Sequence, residues 1–255
     1  MILARHSYLT AMRLPSVQIR VVAAIVFSFV AIGSVADGQE IMTETNDPIA
    51  HDSFNGGNPQ LEWLAYPYFN LDNLHGAIDE TSPEEDPGVG VLNNKNAGGF
   101  AALSYLATSL PRDFYLETWM HAQVSDGQKG PLNGVAFRID VTTGNFYRLA
   151  TQFTAEPKIS LAYVGKETNH FPEYLAVWEG AAIPGGTPET SGWHKIAILI
   201  ANDKAEVYWN DSKLAGGPFS VHRTTAGFVG VYANTVGGLG LAETKVDGMR
   251  VWARK

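Results

Sequence analysis

The sequence has 255 residues, 26 acidic against 18 basic side chains, a net charge of −8 and no cysteine. That length allows one large domain or two small ones. The missing cysteines exclude disulfides, thiolate nucleophiles and Cys-ligated metal centres, and the acidic balance gives no basic footprint for nucleic acid.

Residues 1–20 carry Arg5, Arg13 and Arg20 and no acid. An apolar or small-residue run follows over 21–32, and then Gly33-Ser34-Val35-Ala36. A basic segment, a short apolar segment and a small-residue exit predict a secretory signal over 1–36. The apolar run falls short of the ~20 residues that span a bilayer; the rival reading is an uncleaved anchor. Cleavage before Asp37 leaves 219 residues with 15 basic and 26 acidic charges, a net −11. The expectation is an exported protein, secreted or periplasmic, of bacterial type, with no stable membrane insertion after cleavage. Its fold would be held by its core without disulfides. Residues 37–50 are polar and aperiodic and read as a flexible leader to one domain over 51–255.

No long helical pattern occurs in that domain. Along 114–124, Phe114, Leu116, Thr118 and Met120 fall on one strand face, and Tyr115, Glu117, Trp119, His121 and Gln123 on the other. Segments 134–140 and 145–152 flank a turn at 141–144. There Val135, Phe137 and Ile139 are expected to share one face, and Ala136, Arg138 and Asp140 the other. Strands follow at 158–164, 193–200, 205–209, 227–233 and 245–253, with turns at 201–204 and 210–213. Residues 66–97 read as a long loop, whose Glu84-Glu85-Asp86 sits between prolines as a solvated acidic cluster. Residues 165–192 read as a second irregular insert. Short strands at this spacing predict an all-β sandwich or barrel.

The order of these segments resembles the concanavalin A-like lectin/glucanase superfamily, in its laminin-G-like, 3-keto-disaccharide hydrolase-like bacterial branch. The resemblance is carried by Asp52-Ser53-Phe54 before Gly56-Gly57, by Asp113-Phe114-Tyr115-Leu116-Glu117, and by Gly134-Val135-Ala136-Phe137-Arg138 with Asn145-Phe146-Tyr147-Arg148-Leu149. It continues through Trp193-His194-Lys195-Ile196, Ala205-Glu206-Val207-Tyr208-Trp209-Asn210-Asp211, Gly227-Phe228-Val229-Gly230-Val231 and Val246-Asp247-Gly248-Met249-Arg250-Val251. It implies a single-domain jelly-roll β-sandwich of two curved antiparallel sheets, with ligands on the concave sheet. It does not fix a function, because the superfamily holds glycosidases, lectins, binding modules and adhesion domains.

Retaining glycosidases need two carboxylates about 5 Å apart. The glucanases that this chain resembles place them at alternate positions of one strand, and no such strand occurs here. The face bearing Glu117, Trp119 and His121 suits sugars, with an indole for a C–H face and a carboxylate and an imidazole for hydroxyls; the competing reading is an ordinary wet face, with Trp119 capping the sandwich edge and Glu117 paired with the arginines. Arg138 and Arg148 are expected on neighbouring strands, extending that ligand surface. Trp193 and Trp252 read as packing residues. So do Trp63, Tyr66, Tyr68 and Phe69; for His170, Tyr174 and Trp178 in the second insert, overhang of the concave sheet is the minor reading.

The six histidines after residue 36 lack HxxxH or HxH spacing, so zinc is disfavoured. Calcium is the metal that oxygen-bearing loops would take. Asp52 and Asp247 approach each other if the first and last strands pair, as the resemblance implies; two acids are too few for a site, and no catalytic residue or metal ligand is assigned. The leading expectation is a non-catalytic binder of carbohydrate or another extracellular ligand. The rival is a 3-keto-glycoside hydrolase-like enzyme using Glu117, His121 and Arg138 for acid–base and electrophilic chemistry. A third reading is an interaction domain whose concave face is filled by its own loops.

Overall fold

A computed structural model describes residues 47–69, 72–94, 101–122, 131–152, 157–184, 192–224, 227–235 and 242–254. The signal-like segment, most of the leader and Gln123 lie outside the described residues. Among the described residues there are sixteen strands: β1 (Ala50–Asp52), β2 (Trp63–Ala65), β3 (His75–Ile78), β4 (Gly88–Asn94), β5 (Ala102–Leu106), β6 (Phe114–Ala122), β7 (Pro131–Asp140) and β8 (Asn145–Gln152), then β9 (Lys158–Val164), β10 (Glu173–Glu179), β11 (Gly192–Ala201), β12 (Lys204–Trp209), β13 (Ser212–Lys213), β14 (Phe219–Ser220), β15 (Phe228–Thr235) and β16 (Ala242–Ala253). Among the described residues no helix is long and apolar enough to cross a membrane.

The strands form two antiparallel sheets. The nine-stranded sheet runs β13-β12-β11-β6-β16-β4-β3, with β1 on β16 and β14 on β12; the seven-stranded sheet runs β10-β9-β8-β7-β15-β5-β2. The inner faces of both sheets contribute to one core. Phe114, Leu116 and Met120 of β6 and Ile196, Ile198 and Ile200 of β11 meet Val135, Phe137, Leu149, Leu161 and Val231 of the other sheet. The period-two pattern of β6 therefore buries the residues that its sequence implies. The stretch expected as a long loop contains β3 and β4, whose glycines hid the strand pattern: at Gly90 a Cβ would lie 2.5 Å from the Phe54 ring. The second insert contains β10, paired with β9 through a register shift between Tyr174 and Ala176.

Two bulges set the faces of the candidate residues. In β16 the register slips between Asp247 and Arg250, opposite Trp119 and Glu117 of β6. Gly248 there has φ 56°, the left-handed conformation that glycine adopts without a Cβ penalty. The extra residue sends Val246, Met249 and Val251 into the core. Arg250 and Trp252 thereby fall beside Glu117 and Tyr115, on the outer face. In β7 the slip lies between Phe137 and Asp140, with Arg138 at φ 50°. It overturns the expected alternation: Ile139 joins Ala136 in the cluster on the sheet's outer side, while Val135 and Phe137 face the core.

Candidate functional site

On the outer face of the nine-stranded sheet, β6 presents Tyr115, Glu117, Trp119 and His121. Antiparallel pairing puts Trp193 opposite His121, Lys195 opposite Trp119 and Ala197 opposite Glu117. On the other side β16 puts Lys245 opposite His121 and Arg250 opposite Glu117. Glu117, Trp119, His121, Trp193, Lys195, Lys245 and Arg250 are all half-buried, so each offers part of its side chain to solvent. The His121 and Trp193 rings meet edge to face at 5.4 Å.

A line of alternating charges crosses this face. The Lys195 ammonium lies 3.1 Å from Asp211 and 3.4 Å from Glu117. Arg250 lies 3.7 Å from Glu117 and donates two hydrogen bonds to Glu84, at 3.1 and 2.8 Å. This bidentate pairing holds the Glu84 carboxyl below its usual range, against the opposing effect of burial; the Trp119 side chain is also hydrogen-bonded to it. Glu84 reaches the sheet from the β3–β4 connection, which also brings Thr81 to the Trp193 indole N–H at 3.2 Å and Asp79 to Lys245 at 2.9 Å. Asp86 of the same segment accepts from the Gly88 and Gly56 amides. The expected solvated acidic cluster is thus a bound strap, with Glu85 alone of the three acids fully exposed.

Burial drives the titration of the neighbouring groups. It lowers His121, with repulsion from Lys245 adding to it, so the imidazole is neutral at pH 7. It lowers His194, on the inner side of β11, to about 4. It raises Asp247 to about 6, although the Ser82 hydroxyl donates to that carboxylate.

Glu117, Trp119 and His121 are brought together as their spacing implies. Arg138 and Arg148 are not part of this surface: both belong to the seven-stranded sheet and both are buried. Arg138 donates to Asp203 and the Thr224 carbonyl at 2.8 and 2.9 Å, to the Arg112 carbonyl at 3.0 Å and to the Val221 carbonyl at 2.5 Å. The β7 bulge turns it from the strand face into this network. Arg148 donates to the Tyr232 hydroxyl at 2.8 Å and lies 4.9 Å from the centre of that ring. Spacing along one strand carries no information about which sheet a later strand joins, and for that reason the two arginines were misplaced.

Trp193, expected in core or rim packing, is half-buried against His121; the β6–β11 register is what places it on this face. Trp252 is buried against Tyr115, as a packing residue would be. Trp178 does not overhang a sheet: it is buried in the core, its indole N–H donating to the Ala215 carbonyl at 2.9 Å. β1 does pair with β16, but Asp52 falls opposite Met249. It accepts from the Phe54, Gln60 and Leu61 amides and the Trp63 indole at 2.9–3.1 Å, ordering the first turn. Among the described residues no group of three or more His, Asp or Glu side chains is placed to hold a metal.

No protein-family model matches the sequence, and no curated protein matches it. Solved structures do match. The carbohydrate binding module CBM66 from Bacillus subtilis superimposes with a TM-score of 0.52 at 13% identity, over 76% of this chain and 98% of that one. The cellulose induced protein Cip1 gives 0.53 at 15%, over 79% and 96%. A glycoside hydrolase family 16 endo-glucanase from Bacteroides ovatus gives 0.52 at 11%, over 79% and 99%. The architecture that the sequence resemblance implies is thereby established: the chain has the concanavalin A-like jelly-roll fold.

Proposed function

We propose that this protein is an exported carbohydrate-binding β-sandwich, and that its ligand lies on the outer face of the nine-stranded sheet around Trp119, His121 and Trp193. The observation that carries this reading is the half-exposed indole and imidazole cluster flanked by the Glu117, Lys195 and Arg250 charges. Aromatic rings pack on the C–H faces of sugars, and fixed charged groups make strong hydrogen bonds to hydroxyls. A carbohydrate binding module among the fold neighbours supports the ligand class.

The carboxylates on this face favour binding over hydrolysis. Glu117 sits between two cations and Glu84 is held ionised by Arg250, so Glu84 has no proton to deliver near neutral pH. The rival, glycoside processing with Glu117 and His121 as acid and base, draws on the neutral state of His121. Retention on insoluble polysaccharides and a glycan array test the proposal. Trp119→Ala should weaken binding by about tenfold or more with the thermal midpoint unchanged, and unaltered binding overturns it. Turnover of a 3-keto-glycoside that Glu117→Gln abolishes establishes the rival instead.

A further inference from the structure

We infer a second ligand site, a cleft at one end of the seven-stranded sheet that accepts a neutral terminal sugar residue. It rests on the carbohydrate reading for its ligand class but not for its location. The cleft is open, encloses about 540 Å³ and is lined by Tyr68, Thr142, Thr143, Asn145, Lys166 and Glu167. That volume lies within the ~300–1,000 Å³ of small-molecule sites. Three segments distant in sequence build it: the β2–β3 connection, the β7–β8 turn with the first residue of β8, and the short 3-10 turn Lys166–Thr168 after β9.

Tyr68 has the features of a prepared platform. Its side chain is 44% exposed, yet its hydroxyl donates to the Thr142 carbonyl at 2.9 Å. Its ring stacks on His170 at 6.3 Å and packs against Tyr66 at 5.4 Å. Gly144, at φ 81°, closes the turn beneath it, where a Cβ would come within 3.4 Å of the ring. An exposed aromatic held in this way loses little freedom when a ligand arrives. The Asn145 side-chain oxygen Oδ1 accepts from the Lys166 backbone amide at 3.0 Å, which fixes the two polar walls relative to each other.

The polar groups left over match a polyol. Among the described residues the Lys166 ammonium has no ion-pair partner, and the Asn145 amide N–H2 has no acceptor. The Glu167 carboxylate accepts from the Tyr163 hydroxyl and from its own backbone amide, and its remaining lone pairs can accept from a ligand. Neighbouring sugar hydroxyls donate and accept in turn, so an ammonium beside a carboxylate serves a vicinal pair. The lining carries one cation, Lys166, and one anion, Glu167, so it has no net formal charge, which suits a neutral sugar better than a charged one. A cleft at a sheet end suits a chain terminus.

Amide chemical-shift mapping of the protein with a panel of methyl glycosides of neutral hexoses and N-acetylhexosamines tests the site, with glucuronate as the anionic comparison. The expected result is perturbation of Gly144, Asn145 and Lys166 by at least one neutral glycoside. Tyr68→Ala and Lys166→Met should each weaken it about tenfold, and Trp119→Ala should leave it intact. No perturbation at these amides up to on the order of 50 mM glycoside overturns the inference, whatever polysaccharide retention shows for the strand face. A response to glucuronate alone overturns the neutral ligand class. Retention lost in Trp119→Ala with no response in the cleft would leave the proposed function standing and remove this site alone.

Discussion

The outer faces of the two sheets carry similar residue types to opposite ends. On the nine-stranded sheet, Arg250 and Lys195 are half-exposed and paired with carboxylates that are themselves reachable from solvent. On the seven-stranded sheet, Arg148 lies beneath the surface with Tyr232, Phe146 and Tyr66, in an apolar cluster packed by Phe69 and Leu132. The difference teaches that a polar residue on an alternating strand is a binding candidate only where nothing else covers the strand. The covering segment, not the strand pattern, decides between ligand surface and second core.

The largest effect that would test this contrast is expected at Arg138. Replacing it with Met leaves the Val221, Thr224 and Arg112 carbonyls without their donor and Asp203 with one cation fewer. Stability should fall by about 3–5 kcal/mol, read from urea midpoints, while polysaccharide retention by the folded fraction is unchanged. A loss of binding at constant stability would return Arg138 to the ligand surface.

Asp247 gives the next effect. Its folded carboxyl titrates near 6, above its ordinary 3.8. The folded chain therefore holds more protons than the unfolded one between those values, and this group's contribution to stability falls as pH rises through that window. Asp247→Asn should stabilise the protein at pH 7.5 by about 2 kcal/mol and change it little near pH 4. The same gain at both pH values would mean that packing, not ionisation, is altered.

On the wet face, Trp193→Ala should weaken polysaccharide binding by about tenfold, or ~1.4 kcal/mol, without lowering the thermal midpoint appreciably. Unchanged affinity would restrict the surface to Trp119 and His121. The smallest effect is expected at Arg148. No carboxylate faces it among the described residues, so exchanging this buried cation for Met should alter stability by less than about 1 kcal/mol. A cost matching that of Arg138→Met would show that the cation is essential to the covered face.

Much of the fold was legible in the sequence. The alternation over 114–122, the two hairpins and the closing strand at 245–253 all appear as strands, because each has one side in the shared core. β3, β4 and β10 were not legible, since glycines, exposed residues and a bulge interrupt their period. Within the candidate site, Glu117, Trp119 and His121 could be read from one strand. Trp193, Lys195 and Arg250 could not, because they join through cross-strand register. Tyr68 was read with a packing cluster, and only its exposure and the cleft beside it separate it from Tyr66.

The sequence by itself determined the β architecture, the inward set of β6 and a fold without disulfides, because these follow from side-chain period and composition. Only the tertiary structure decided which charges meet and which outer face stays open. Those outcomes depend on strand order, on the Gly248 bulge that returns Arg250 to the outer face, and on loops distant in sequence that cover one sheet and strap the other.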